Sequence, residues 1–238
     1  MPAGGVVLEI GAGLFLLACQ LRREGVAIVA LEPVGSGFDH FSHMQQLVLE
    51  YAAANGITFP ILRCGAEELG DLDRYALVYS INVMEHVHDV KTVLEKTCAA
   101  LAPEGYYHFV CPNYSFPYEP HFNIPTLFSK NMTWSAMKRK IKPSLLIPDA
   151  AGMWASLNWI TVSKVKGIGR EFLSRQPVFD NSILVTYINR ALHDPLFQAR
   201  RPGGLSALLK LMRMTGIFSL IRYIPPQMLP VMDCTVRK

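Results

Sequence analysis

No apolar run in this chain reaches the roughly 18 residues that a membrane-spanning helix needs, which excludes an ordinary helical span. No basic stretch precedes the first apolar run, and residues 6–10 are too short for a signal peptide, so they read as a strand. Cysteine is sparse: Cys19, Cys64, Cys98, Cys111 and Cys234 are odd in number and contain no C-x-x-C pair. That excludes a disulfide scaffold and points to free, mostly buried thiols in a reducing cytoplasm. Charge is modest, with 18% charged residues and a formal net charge of +4, too mild to argue for nucleic acid. The one basic cluster, Lys138-Arg139-Lys140-Ile141-Lys142, reads as a solvated loop or helix face. Nucleic-acid sites combine a broader basic surface with stacking aromatics. Hydrophobic residues make up 50% of the 238, which allows a large core in one domain, or in a core domain carrying a substantial insertion.

The informative residues begin near the start. Val6 to Gly13 read V-V-L-E-I-G-A-G, an apolar run that ends in an acid and breaks into a glycine-rich turn. The next apolar run, V-A-I-V-A-L-E-P, closes on a second acid, Glu32. Two short buried strands, each ending in a carboxylate, with glycines between them, describe the opening of a nucleotide-binding α/β unit. Glycines let the backbone approach a ligand, and a helix N-terminus there offers unpaired N–H groups. Glu32 stands 19 residues after Gly13, near the roughly 20-residue spacing at which an acid meets ribose hydroxyls. An adenosine-containing cofactor is expected. A dinucleotide turn, G-x-G-x-x-G, is incomplete because Leu16 occupies its third glycine position, and Glu9 would repel a pyrophosphate. A ligand with a cationic ammonium or sulfonium tolerates or favours Glu9.

E-I-G-A-G followed by L-E-P resembles motif I and the second-strand acid of class I S-adenosylmethionine (SAM) methyltransferases. G-A-E-E-L at Gly65 to Leu69 is similar to that family's D-A-E-E-L after the third strand. N-V-M-E-H-V-H-D at Asn82 to Asp89 is similar to its V-L-E-H-V-x-D after the fourth. L-A-P-E-G-Y-Y-H-F-V-C-P-N at Leu101 to Asn113 is similar to its L-K-P-G-G-x-L-x-x-x-x-P-N. These pieces keep the family's order over residues 6–113. Three departures stand out: Phe15 at the third motif I glycine, Gly65 where an Asp often reaches the adenine amino group, and Tyr75-Ala76 for the usual F-D.

The resemblance implies an α/β fold: a Rossmann-like, mostly parallel seven-stranded sheet flanked by helices, with a helical insertion after strand five. It implies SAM as cofactor and methyl transfer to a small or medium organic acceptor, expected at oxygen. By the same resemblance Gly11, Ala12 and Gly13 contact the methionine portion, with Glu9 near its ammonium. Glu32 takes the ribose diol, Ala66 and Glu67 lie along the adenine, and Asn82 sits beneath the cofactor at the end of strand four. Resembling enzymes usually carry one or two helices before the first strand, so a trimmed start, or a lid supplied from elsewhere, is expected. The alternative of another class is a SAM-binding scaffold or regulatory subunit without transfer activity. A nicotinamide-dependent oxidoreductase is disfavoured by Leu16 and Glu9. Neither the acceptor's identity nor the oligomeric state is legible.

The first 112 residues alternate short apolar runs with helical patterns, as a parallel sheet requires. Strands are predicted at Val6–Ile10, Ala27–Leu31, Phe59–Arg63, Ala76–Ile81 and Tyr106–Cys111, with helices through Arg23, near His43–Asn55 and over Val90–Leu101. After Pro112, prolines at 117, 120, 125, 143 and 148 turn the pattern into loop with short helical pieces. Asp149 caps a short helix, and Thr161–Phe172 and Asn181–His193 read as helices. A closing helix at Leu205–Thr215 and strands at Ile217–Ile224 and Met228–Val236 complete the core. Residues 1–112 and 204–238 therefore form the SAM-binding core, and 113–203 the insertion, expected to form the substrate pocket.

Methyl transfer from a sulfonium needs mainly alignment, plus a base if the nucleophile must lose a proton. Three candidates stand out for that chemistry: His86, Tyr118 and His121. Tyr118 and His121 lie in the proline-stiffened segment Pro112–Pro125, which leaves strand five at the sheet's ligand-binding edge; its plainer role is an aromatic loop. His86 either orients the helix after strand four or faces the transferring methyl. Some methyltransferases use E-x-x-E-H at this place as a metal site, but Asn82 replaces the first Glu, so no metal is expected without a converging ligand from elsewhere. Trp154 and Trp159 read as insertion core rather than cofactor box.

Overall fold

The computed structural model describes residues 5–33, 42–144, 147–172, 176–195, 214 and 223–238. The first apolar runs form β1 (Val6–Ile10) and β2 (Ile28–Leu31), with α1 (Leu16–Arg23) between them. β2 is buried throughout, as a continuous apolar strand in a sheet covered on both faces must be. There follow α2 (Ser42–Ala54), the short β3 (Ile61–Leu62), β4 (Tyr75–Ile81), α3 (Val90–Ala100) and the long β5 (Leu101–Pro112). α3 buries Val90, Val93, Leu94 and Thr97, the i, i+3, i+4, i+7 stripe of a sheet-covering helix. It starts at Asp89, whose carboxylate accepts the backbone N–H groups of Lys91 and Thr92. Beyond β5 come a small hairpin, β6 (Tyr118–Glu119) and β7 (Ile124–Pro125), then α4 (Lys130–Met137), α5 (Ala150–Ser156) and α6 (Val162–Phe172). The edge strand β8 (Val178–Phe179), α7 (Ser182–His193) and β9 (Val231–Arg237) close the chain.

The main sheet has seven strands in the order β3-β2-β1-β4-β5-β9-β8. β1 to β5 run parallel, and β9 pairs antiparallel to β5. The order reverses between β1 and β4, so the chain leaves their carboxyl ends in opposite directions and opens a crevice there. This is the Rossmann-like, mostly parallel α/β sheet flanked by helices that the sequence implies. The seventh strand comes from an unexpected place. Val178 and Phe179 pair with Thr235 and Cys234 of β9, whereas the strand expected over Ile217–Ile224 falls largely outside the described residues, as does the helix over Leu205–Thr215. All five cysteines are free, and no helix of the described residues is long and apolar enough to cross a membrane.

The segment after β5 shares its core with the sheet. Trp154, Leu157, Ile160, Val162 and Val165 belong to the same buried cluster as Leu8, Val78 and Phe109. Trp159 stacks on Tyr114 with ring centroids 4.3 Å apart, and Trp154 meets Trp159 edge-on at 5.7 Å. Asn113 ties three parts together at the end of β5. Its amide donates to the carbonyls of Pro226, Gln227 and Leu229 at 3.2, 3.2 and 2.8 Å, and its carbonyl accepts the N–H groups of Ser115 and Val162 at 3.1 and 3.3 Å. At 1% exposure none of these bonds is replaced by water. Asn113→Asp turns the donor toward three carbonyls into a carboxylate oxygen. A loss of about 3–5 kcal/mol in unfolding free energy is expected in urea melts, shrinking as the pH is lowered and the new acid protonates.

Candidate active site at the carboxyl edge of the sheet

The β1–α1 turn is built from residues with positive φ: Gly11 at 72°, Gly13 at 53° and Phe15 at 62°. A side chain at Gly11 would overlap Val83, which leaves β4 next door, so this glycine is required both sterically and by its dihedral. Phe15 pays the cost of a left-handed conformation and buries its ring completely, 6.3 Å from Phe59 and beneath the Arg63 guanidinium. The backbone N–H of Gly13 donates to Glu32 Oε2 at 2.9 Å, linking the turn to the end of β2. Gln45 of α2 donates to the Gly13 carbonyl at 2.7 Å. Burial raises the Glu32 pKa; the Gly13 hydrogen bond and Arg63 oppose that shift.

A cleft of about 540 Å³ opens over this turn. Its lining includes Gly11, Gly13, Glu32, Ala66, Glu67, Asn82 and His86. One carboxylate oxygen of Glu67 accepts the N–H groups of His88 and Asp89, at 2.7 and 3.2 Å, and so ties Glu67 to the turn after β4. Asn82 holds φ 56°, a conformation asparagine tolerates better than most residues. Glu9 and Ala12 are not part of the lining; both sit buried behind the turn. Burial pushes the Glu9 pKa up to about 7; the neighbouring Tyr79 hydroxyl opposes this, and Glu32 adds to it. Glu9 Oε2 has no hydrogen-bond partner of ordinary geometry.

A second cluster lies at the wall formed by His86. Its Nδ1 is 2.8 Å from Ser156 Oγ, and that hydroxyl donates its own proton to the Met153 carbonyl at 2.8 Å. Nδ1 is therefore the donor, and Nε2 carries the lone pair. Burial, with a smaller contribution from His121, lowers the His86 pKa to about 4, so the ring is neutral at physiological pH. His121 packs edge-on against His86, ring centroids 5.2 Å apart, and its Nδ1 is 2.5 Å from Glu119 Oε1. Burial works against a charged His121, but the hydrogen bond and charge of Glu119, together with Glu85, outweigh it and raise the pKa. Glu119 is fully buried and satisfied, accepting also from Phe122 N at 2.8 Å and Tyr114 Oη at 3.3 Å. Glu85 is fully buried too, yet neither of its oxygens has a hydrogen-bond partner of ordinary geometry.

Of the sequence candidates for chemistry, His86 and His121 come together, while Tyr118 stands apart on the β6–β7 hairpin with its hydroxyl donating to Asn123 at 2.8 Å. Sequence reasoning missed Ser156 and Gln45, which depend on which loops meet, and it gave no role to Glu85, beside His86, or to Glu119, within the Pro112–Pro125 segment. The insertion reaches the site through Asn158, whose amide donates to the carbonyls of Met84 and Val87 at 2.7 and 2.8 Å.

The family described as "Methyltransferase domain" matches residues 1–158. An uncharacterized protein of Mycobacterium tuberculosis (strain ATCC 25618 / H37Rv) is 40% identical over 238 residues, 100% of this chain and 80% of that protein. A ubiquinone biosynthesis O-methyltransferase of Bradyrhizobium diazoefficiens is 31% identical over 107 residues, 43% of this chain and 38% of that protein. Among solved structures, phosphoethanolamine N-methyltransferase 2 of Haemonchus contortus, in complex with S-adenosyl-L-methionine, is similar with a TM-score of 0.53 at 12% identity. That likeness covers 100% of this chain and 48% of that one, and at such identity it speaks for the fold. Sheet order and family match together define the class, that of the class I SAM-dependent methyltransferases. The chain belongs to the methyltransferase-domain family.

Glu9 generates a stability prediction. Its folded pKa of about 7 lies above the ordinary 4.5, so its contribution is fully present below pH 4.5 and is lost as the pH rises through 7. Glu9→Gln removes that slope. In urea melts of the ligand-free protein the variant is expected to gain roughly 2–3 kcal/mol on the wild type between pH 4.5 and 8. A constant difference across that range would contradict the assignment.

Proposed function

We propose that this protein moves a methyl group from SAM to an oxygen of a small or medium organic acceptor. The observation that carries the reading is one cleft whose lining brings together Gly11, Gly13, Glu32 and His86. The turn's backbone N–H groups and Glu9 behind it suit the methionine carboxylate and ammonium of SAM. The Glu32 carboxylate suits the ribose diol, and Ala66 with Glu67 the adenine edge. Asn82 and Gly11 complete the lining, with Ala12 buried behind the turn. In the transfer the acceptor oxygen forms a bond to the methyl carbon while the carbon–sulfur bond breaks, its electron pair staying on sulfur. The sulfonium becomes the neutral thioether of S-adenosylhomocysteine, and the acceptor's proton leaves at His86, with His121 behind it. An oxygen acceptor is favoured because the partial relatives named O-methyltransferases align with this chain, and because a hydroxyl needs the proton acceptor that this wall offers. Residues 113–203 would supply the acceptor pocket.

A SAM-binding scaffold without transfer activity is the competing reading; Phe15 in the motif I turn favours it. The two separate in one assay, in which the full chain is incubated with SAM and a panel of phenols and hydroxy acids while S-adenosylhomocysteine is measured. An enzyme accumulates it only when a suitable acceptor is present; SAM binding with no product from any acceptor supports the scaffold. Glu32→Ala is expected to weaken SAM binding by roughly 10–100-fold in isothermal titration, the loss of a charged hydrogen-bonding partner. His86→Ala is expected to lower turnover by about 10²–10⁴-fold while SAM affinity changes by less than about threefold. Equal losses in both quantities would make His86 a binding residue.

A further inference from the structure

Phe15 breaks the glycine pattern of the β1–α1 turn, yet its φ of 62° keeps the left-handed backbone that a glycine would give there. The ring is what this chain adds. It is fully buried, 6.3 Å from the ring of Phe59, and carries the Arg63 guanidinium 5.0 Å above its centroid. A planar guanidinium stacked on an aromatic face is already partly oriented, so it loses less freedom on making further contacts. From that seat Arg63 Nη1 makes a long polar contact, 3.5 Å, with Gln45 Oε1 of α2. The other end of the same amide, Nε2, donates to the Gly13 carbonyl at 2.7 Å, and the Gly13 N–H donates to Glu32 Oε2 at 2.9 Å. The turn after β1, the end of β2, α2 and the residue after β3 are thus joined in one chain of contacts that ends on a carboxylate lining the cleft.

That carboxylate needs support. Burial disfavours its charged form, and the Gly13 hydrogen bond and the charge of Arg63 oppose the burial. Of the charged groups that face Glu32, Glu9 of β1 repels its charge and Arg63, after β3, favours it; α2 brings the neutral amide of Gln45. Oε2 is already committed to Gly13, so a proton on Oε1 takes away the acceptor that a pair of hydroxyls needs. We propose that Arg63 is a positioning residue for Glu32: seated on Phe15 and linked through Gln45 to the β1–α1 turn, it keeps the carboxylate aimed into the cleft and able to accept both hydroxyls of the cofactor's ribose. This inference rests on the reading that Glu32 holds the ribose diol. On this account the turn exchanges a glycine for an arginine's seat, and the cleft gains a positive charge beside an acid that burial works against.

The test is isothermal titration of the full chain with S-adenosylhomocysteine from about pH 6 to about pH 8, in the wild type, Arg63→Met, Arg63→Lys, Glu32→Gln and the Glu32→Gln/Arg63→Met pair. Arg63 is exposed, so its replacement leaves the core intact. Arg63→Met is expected to weaken binding about tenfold near pH 7 and more near pH 6, with the gap closing toward pH 8. The sign follows from the charge: without the cation Glu32 protonates more readily, and a rising pH restores its ionised form. Glu9 titrates in every one of these proteins, so the reading is the difference from the wild type. Arg63→Lys keeps the charge without the stacking and is expected to stay within about threefold, with no added pH dependence. In the Glu32→Gln background Arg63→Met is expected to change affinity by less than about twofold. Phe15→Leu, checked for folding by circular dichroism, is expected to shift binding in the same direction as Arg63→Met and by less. A loss in Arg63→Met that is flat with pH and persists in the Glu32→Gln background would make Arg63 a plain brace and overturn the inference. Unchanged binding in Arg63→Met beside weakened binding in Glu32→Gln would overturn it too, leaving the ribose reading in place. Unchanged binding in Glu32→Gln, or no binding by the wild type, would remove the ribose reading itself and this inference with it.

Discussion

Everything at this protein's working edge depends on how closely β1 is allowed to approach β4. The two strands are neighbours at the point where the sheet order reverses, and the residues that follow their carboxyl ends lie side by side. Gly11 makes that close approach possible: its backbone lies against Val83, and no side chain fits between them. Once the turn is so placed, the Gly13 N–H finds Glu32, and β2 is joined to β1 by a charged hydrogen bond as well as by the strand ladder. Arg63 then covers Phe15 and faces Glu32, so the electrostatics of the cleft follow from the same turn. A dihedral requirement at one residue thus fixes the positions of a carboxylate, an arginine and an aromatic ring.

Three buried carboxylates stand behind this edge, and they differ in a way that separates structure from chemistry. Glu119 is fully satisfied; its oxygens meet two backbone N–H groups, a tyrosine hydroxyl and an imidazole. Such a group holds a loop in one shape. Glu9 and Glu85 instead carry oxygens without hydrogen-bond partners, and burial pushes both toward pH 7. Folding alone gains nothing from leaving them so. A cationic ligand gains a great deal, because in a poorly solvated place each charge it meets is worth more than in water. The two unsatisfied acids lie behind the turn proposed to hold the cofactor's ammonium and at the wall proposed to hold the acceptor.

The sequence made the β1–α1 turn and the strands beside it legible because their signals are local. β1, β2, β4 and α3 are read from apolar periodicity, and Gly11, Gly13 and Glu32 from a spacing that follows from one turn and one helix. Phe15 shows how far such reading goes: it marks a departure from a glycine pattern, but only the structure shows the left-handed backbone kept and the ring turned into the core. β6, β7 and β8 have two residues each, too short for any period, and exist because a partner strand is in register. The Glu85–His86–His121 cluster was hidden for a related reason. His121 stands 35 and 36 positions after the adjacent His86 and Glu85, and nothing in either segment reveals that Asn158 and the stacked Tyr114–Trp159 pair fold one segment against the other.

That division has a mechanical consequence. The β1–α1 turn is held by backbone geometry within the sheet, which changes little without unfolding the strands. The His86 wall is held by side-chain clamps from the segment after β5: Asn158 on the Met84–Val87 turn, Ser156 on His86, Asn113 on the approach to β9. A clamp of two or three hydrogen bonds gives way at a cost of a few kcal/mol, far less than the sheet. Changes in the segment after β5 can therefore re-aim His86 and His121 without disturbing the Gly11 turn. If, as proposed, the turn holds SAM and the segment after β5 the acceptor, a chain built in this way can alter what it methylates while keeping how it holds SAM, since different forces hold the two parts in place.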